Sequence, residues 1–461
     1  MVTVETEPVV KPKQPMREKG PYWEKFEQYA KIAEDPAWVR VARQAGISHF
    51  VELGFPTSKD EDWRFTNVAP ITKLPFKPVL EPTRDSVTAK ALNHFTFAGL
   101  AGSKLVFVDG HFAPEFSSTA KLPEGVKAIS LAEAIAKDLA QVEQHLFRYA
   151  RSDTSAFTAL NTAFFKDGAF IYVPAGQTVS GPILLLYVST AKEDGATVHV
   201  RNLIVAERSS LVTIVESYVS LSEAAYFTNS VTELVVGDNA VVEHLKLQVE
   251  SQRAFHIATV EAHFDRASNV VIHSIALGAK LSRTNIHAHL AGQGLECILN
   301  GLYLTRSEQL ADHYMIVEHA QPHCASHEYF NGILADKSKG VFHGRILVCP
   351  GAQKTDAKQT NKNLLLSDDA TANSKPQLEI YADDVKCTHG ATIGQLNDES
   401  IFYLRARGIG LETARRMLIH AFAGEIIDRV RCKAVREELD KLVWDRLEQN
   451  EKVTVNKWSY V

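Results

Sequence analysis

The residue types best suited to chemistry in this chain meet within residues 374–410, where Cys387 and His389 stand two residues apart. A soft thiolate beside an imidazole is the donor chemistry of iron–sulfur and zinc sites. Glu379, Asp383 and Asp384 lie just before the pair. Just after it the sequence predicts a helix, capped by Asn397 or Asp398, running through Arg407 and ended by Gly408 and Gly410. If the chain is extended here, alternation puts Cys387 and His389 on one side. Lys386 favours the thiolate and the two aspartates oppose it. Two donors are too few to hold a metal alone. The residues therefore leave two readings open: half of a shared site, or a small buried thiol beside a surface histidine.

Donors also concentrate upstream. His287 and His289 share one face of a strand, and Asp312, His313, Glu318, His319, His323, Cys324, His327 and Glu328 follow. Cupin-type iron sites use an H-x-H pair followed by a glutamate, and Glu296 follows here, but the glycine-bounded spacing of that motif is not met. In a parallel β-helix, residues two apart point together into the core or together into solvent. A structural role, with both rings stacked on neighbouring coils, is the expectation for His287 and His289. The alternative is a metal-dependent, cupin-like enzyme built on that pair. No G-x-x-x-x-G-K-[ST] loop, strand–helix G-x-G-x-x-G or G-x-S-x-G elbow occurs, which removes the commonest nucleotide-binding and hydrolase signatures.

The elements that must position these residues are of two kinds. At 461 residues the chain is too long for one ordinary core. A net charge of −5 gives no broad basic surface for nucleic acid. No apolar run is long enough to span a bilayer. The N-terminal stretch, residues 1–15, carries two glutamates and no apolar core and so lacks the features of a signal or transit peptide, and a cytoplasmic protein is expected. Five scattered cysteines without a CxxC pair make neither a disulfide framework nor a self-contained zinc ribbon.

Residues 22–44, 129–151 and 155–165 read as helices, the first broken at Pro36 and the second capped by Ser130 with Glu133 three residues on. Residues 104–108 read as a strand ended by Asp109-Gly110. From about residue 168 helical periodicity vanishes, and short Val, Ile and Leu runs follow one another. Polar turns at 207–210, 237–240, 265–269 and 292–294 recur roughly every 27–30 residues, the signature of stacked repeats. A parallel β-helix fits better than a cupin or jelly-roll barrel. Three parts are expected: a helical and mixed domain over 1–165, the β-helix over 166–376 and a helical domain over 377–461. In the last part Ala414, Met417, Leu418, Ala421, Phe422 and Ile426 form an apolar stripe, with Arg415, Arg416, Asp428 and Arg429 opposite.

Long strings of residues carry a family resemblance. GVFHGRILVCPGAQKTDAKQT at 340–360, NKNLLLS at 361–367, residues 374–410 and the DWRFTN loop at 62–67 are similar to the SufB/SufD family of iron–sulfur cluster assembly scaffolds, over the chain from about Glu61 onward. SufB-like chains read H-E-A-T-T-S after the loop histidine. Here His389-Gly390-Ala391-Thr392-Ile393 is of the SufD type, and the cysteine-pair motifs of SufB-like chains are missing.

The resemblance implies a mainly β fold, a right-handed parallel β-helix core flanked by N- and C-terminal helical domains. It implies a non-catalytic scaffold subunit of a SufBCD-type complex, with a SufB-like paralogue as partner and a SufC-like ATPase docked on the C-terminal helices. It implies a transient, nascent Fe–S cluster at the interface with the SufB-like partner, built from iron and persulfide sulfur, and no cofactor tightly bound to the isolated chain. His389 matches the family's histidine of that shared site, and Cys387 its neighbouring cysteine. By the same analogy Ile401, Leu404, Met417, Leu418, Phe422 and Ile426 are the ATPase-docking candidates. Pairing of β-helix edges makes a homodimer plausible for the isolated chain.

Overall fold

A computed structural model describes residues 20–458 except 82–86, 94, 96, 98, 99, 101, 120 and 121, with side chains through residue 448. The N-terminal stretch 1–15, read above as no targeting signal, lies outside the described residues.

Two ten-stranded sheets, almost wholly parallel, form a β-solenoid. Each coil gives one strand to each sheet, so alternate strands pair. In the second sheet Leu211, Val241, Asn269, Glu296, Ala325, Asp356 and Lys386 stand in one file across successive coils. No single coil can bury its own apolar face, so stacking makes the core. Leu185, Ile214, Val242, Ile272 and Leu299 of this sheet meet Ile204, Leu234, Val260 and Ile286 of the other.

The repeating turns force the register. Ser209, Asn239, Ala267, Gly294, His323 and Lys354 each take φ between 54° and 70°, one per coil on the same side. Glycine and asparagine adopt that conformation at little cost, whereas Ala267 and Lys354 are held in it by the ladders on either side.

Burial along a strand records what covers it. Phe227–Val236 is buried at every position, because the helix Ala156–Phe164, itself buried throughout, lies on its outer face. Parallel strands covered on both faces lose their alternation. Further on, Leu281–Leu290 is buried through Thr284 and then alternates between buried and half-buried, since the outer face of its second half meets solvent.

The helix Ala156–Phe164 is clamped by Ala37–Leu53, where a Cβ on Gly46 would come within 2.9 Å of the Ala159 carbonyl oxygen. Beneath it the fully buried Arg201 meets Glu233 at 2.6 Å and donates to Thr162 and the Ala150 carbonyl. Ser130 caps the helix Leu131–Ala136, its Oγ accepting from the Glu133 N–H. The helix expected over 129–151 is broken into that segment and Ala140–His145.

The expected borders at 165 and 376 fall inside continuous structure. Ser103–Val108 already pairs with Ile183–Ser189 in the second sheet. At the other end the coil formed by Thr371–Ile380 and Lys386–Gly394 extends the solenoid past 376. Its apolar signal fades because no further coil covers it. The helices Leu411–Ile427 and Lys433–Trp458 then fold back onto the outer face of the second sheet. The solenoid also removes the cupin-like alternative, which requires a barrel pocket.

Candidate site at the open end of the solenoid

Cys387 and His389 lie on Lys386–Gly394, the outermost strand of the second sheet, not in a loop beyond the core. Parallel pairing sets Cys387 opposite Ala357 and His389 opposite Gln359. On that preceding strand Ala357, Gln359, Asn361 and Asn363 are buried, while Asp356 and Lys358 are exposed. The register therefore aligns Cys387, His389, Ala391 and Ile393 with the file that faces the solenoid axis. They are partly or wholly exposed because the stack ends there.

Cys387 is half-buried against Ile346, Val348, Ala357 and Ala382. Burial pushes its thiol above the usual range; an Ala357 backbone hydrogen bond opposes this and Asp356 adds to it. Lys386, expected from the sequence to favour the thiolate, is outweighed. Two of the nearby acids are engaged elsewhere: Glu379 lies 3.7 Å from Arg345 and Asp384 contacts Lys354. Among the described residues no three His, Cys, Asp or Glu side chains converge as a metal site.

His287 and His289 point outward, between the inward Ile286, Ala288 and Leu290. They are partly exposed and tied to the neighbouring coils as expected, His289 stacking on His263 at 5.4 Å between ring centroids and both rings held by carboxylates. His287 Nδ1 is 3.0 Å from Glu261, and Glu318 lies 3.6 Å from His287 Nε2 and 3.0 Å from His289 Nδ1. Burial works against the His287 cation, but the bonds to Glu261 and Glu318 carry its pKa up to about 9. Hydrogen bonds from His287 and His289 hold the Glu318 carboxyl far below the usual range. Glu296, paired with them in the cupin reading, sits in the other sheet bonded to Asn269. The remaining histidines disperse: His313 and His319 are buried inside, His323 makes a turn, and His327 faces out.

The docking candidates divide by exposure. Asn397 caps Asp398–Arg405, accepting from the Ser400 N–H, and that helix buries no residue. Ile401, Leu404, Leu418 and Phe422 are half-buried and Met417 is exposed. Ile426 is 1% exposed, inside the core with Leu245, Ile275, Leu302 and Ile333. It packs the helix onto the solenoid and is unavailable to a partner, which corrects its assignment as a docking residue. Phe402 and Tyr403, which the stripe did not include, are 74% and 57% exposed. Tyr403 lines a shallow groove with Glu399, Ser400, Leu404 and Leu418.

Comparison with known proteins agrees with this architecture. A family model described as the SUF system FeS cluster assembly, SufBD core domain, matches residues 187–422, and one described as the SufBD protein N-terminal region matches residues 16–185. An iron–sulfur cluster assembly SufBD family protein of Synechocystis is 34% identical over 409 residues, 87% of this chain and 89% of its own length. The iron–sulfur cluster assembly protein SufD of Escherichia coli is 31% identical over 409 residues, 88% of this chain and 92% of its own. The chloroplastic protein ABCI7 of Arabidopsis thaliana is 32% identical over 406 residues, 86% and 83%.

Proposed function

The chain belongs to the SufBD family of iron–sulfur cluster assembly proteins, and we propose on that premise that it is a non-catalytic scaffold subunit of the SufD kind. It pairs with a SufB-like paralogue at the open end of its solenoid and carries a SufC-like ATPase on its C-terminal helices. The nascent cluster is cargo, formed between the two solenoids and passed on. Hydrolysis of ATP belongs to the separate subunit, in keeping with a sequence that holds no P-loop.

One observation carries the reading. Cys387 and His389 lie side by side on the inward face of the outermost strand, which no further strand among the described residues covers. A second chain seated there would meet an imidazole and a thiol together, and would supply the donors this chain lacks. Soft sulfur with nitrogen suits iron and sulfide. Of the two, His389 is assigned as the ligand by its match to the family's histidine, with Cys387 beside it.

The test is His389→Ala in the complete complex of scaffold, paralogue and ATPase. Assembly by size-exclusion chromatography is expected to be unchanged, and cluster formation followed by its visible absorption to fall severely. Cluster formation at the normal rate would refute the site.

A further inference from the structure

The file that ends at His389 continues inward. Leu299, Glu328, Gln359 and His389 occupy equivalent positions on four successive strands of the second sheet. Glu328 and Gln359 are both buried, and the Gln359 Nε2 donates to Glu328 Oε2 at 2.7 Å. That bond fixes the amide with its nitrogen toward the sealed side. Gln359 Oε1, buried, has no hydrogen-bond partner among the described residues. A buried orphan acceptor costs about 1–3 kcal/mol, so it marks a place where a donor is missing. Space is kept for the pair by Gly344 on the facing strand Lys339–Val348. A Cβ there would come within 2.1 Å of Gln359 Nε2 and 3.0 Å of Glu328 Oε2.

We propose that Gln359, anchored by Glu328, is a positioning residue for His389. Its free Oε1 accepts the N–H of one ring nitrogen and leaves the other nitrogen unprotonated for the open end. An acceptor behind a ligating imidazole fixes both its tautomer and its ring orientation. This inference rests on the assignment of His389 as the ligand at the shared site. It adds two side chains that touch neither the cargo nor the partner.

The experiment reads the ring itself. The full chain is labelled with 15N-histidine, the His389 signals are identified by their loss in His389→Ala, and the tautomer is read from long-range 15N–1H couplings with the imidazole neutral. In the wild type one tautomer should dominate. Gln359→Leu should move the ratio toward that of free imidazole, and Gln359→Met, which also lacks the amide oxygen, should move it the same way. In the complete complex Gln359→Leu should slow cluster formation about tenfold or more with assembly intact. An unchanged tautomer ratio in Gln359→Leu overturns the positioning role even where His389→Ala abolishes cluster formation. A shifted ratio together with normal cluster formation in His389→Ala instead removes the site and leaves the contact. Thermal midpoints of the two Gln359 variants separate both results from a folding defect.

Discussion

At the scale of single residues the titratable groups have been sorted by their partners more than by their type. His287 and Glu318 are both partly exposed, yet each is held in its charged form by the other. The His287 pKa is raised above its unfolded value, so its contribution to stability is complete below about pH 6.5 and is lost as pH rises through about 9. The Glu318 pKa is lowered, so its contribution is present above about pH 4.5 and is lost on acidification. The cluster thus stabilises most between those limits. Glu318→Gln should lower the urea midpoint near pH 7, by no more than about 1 kcal/mol for so exposed a group, and cost much less at pH 10. Equal losses at both pH values would show that packing, not charge, accounts for the cluster. The sequence made His287, His289, Cys387 and His389 visible because i, i+2 spacing is local. It could not make Glu318, Glu328 or Gln359 visible as their neighbours, because coil register brings them there from roughly 30 residues away.

At the scale of elements, periodicity identifies a face but not what the face meets. The stripe on Leu411–Ile427 was legible, and so was the capped helix before it. Which flank lies on the solenoid depends on apolar residues of eight earlier strands, among them Leu245, Ile275 and Ile333. The stripe therefore mixes two roles. Ile426→Ala should cost about 2–5 kcal/mol, as expected for a large-to-small change in a packed core, measured by chemical denaturation. Tyr403→Ala, on the exposed helix, should change stability by no more than about 0.5 kcal/mol and reduce copurification of the ATPase. Full retention of the ATPase by Tyr403→Ala would move the docking surface away from the groove beside Leu404 and Leu418. The N-terminal elements follow the same logic. The sequence signalled a helix over 155–165, which forms as Ala156–Phe164. It gave no sign that Arg201 and Glu233 would meet beneath that helix at no exposure to solvent.

At the scale of the whole molecule the solenoid is finished at one end and unfinished at the other. Strands Lys127–Ser130 and His111–Phe112 close the first coils with antiparallel pairing. Among the described residues the last coil has no such closure: Thr371–Ile380 and Lys386–Gly394 are both sheet edges, with Ile380, Tyr381 and Ile393 exposed. An uncovered parallel edge presents unpaired N–H and C=O groups and invites another strand. Natural solenoids meet this with a cap or with a partner, and the C-terminal helices cover the side of the second sheet instead of its end. A partner that stacks on this end would sit against the inward file, with Ile393 at one position and His389 two places before it. Ile393 is 52% exposed, so Ile393→Lys should leave the unfolding free energy within about 0.5 kcal/mol. A lysine in a file that a second solenoid must cover would bury an unpaired charge. Association with the paralogue, measured by calorimetric titration, should then weaken at least about tenfold, and any homodimer of the isolated chain should dissociate in parallel. Undiminished association would place the partner elsewhere, and Cys387 and His389 would then have nothing to share.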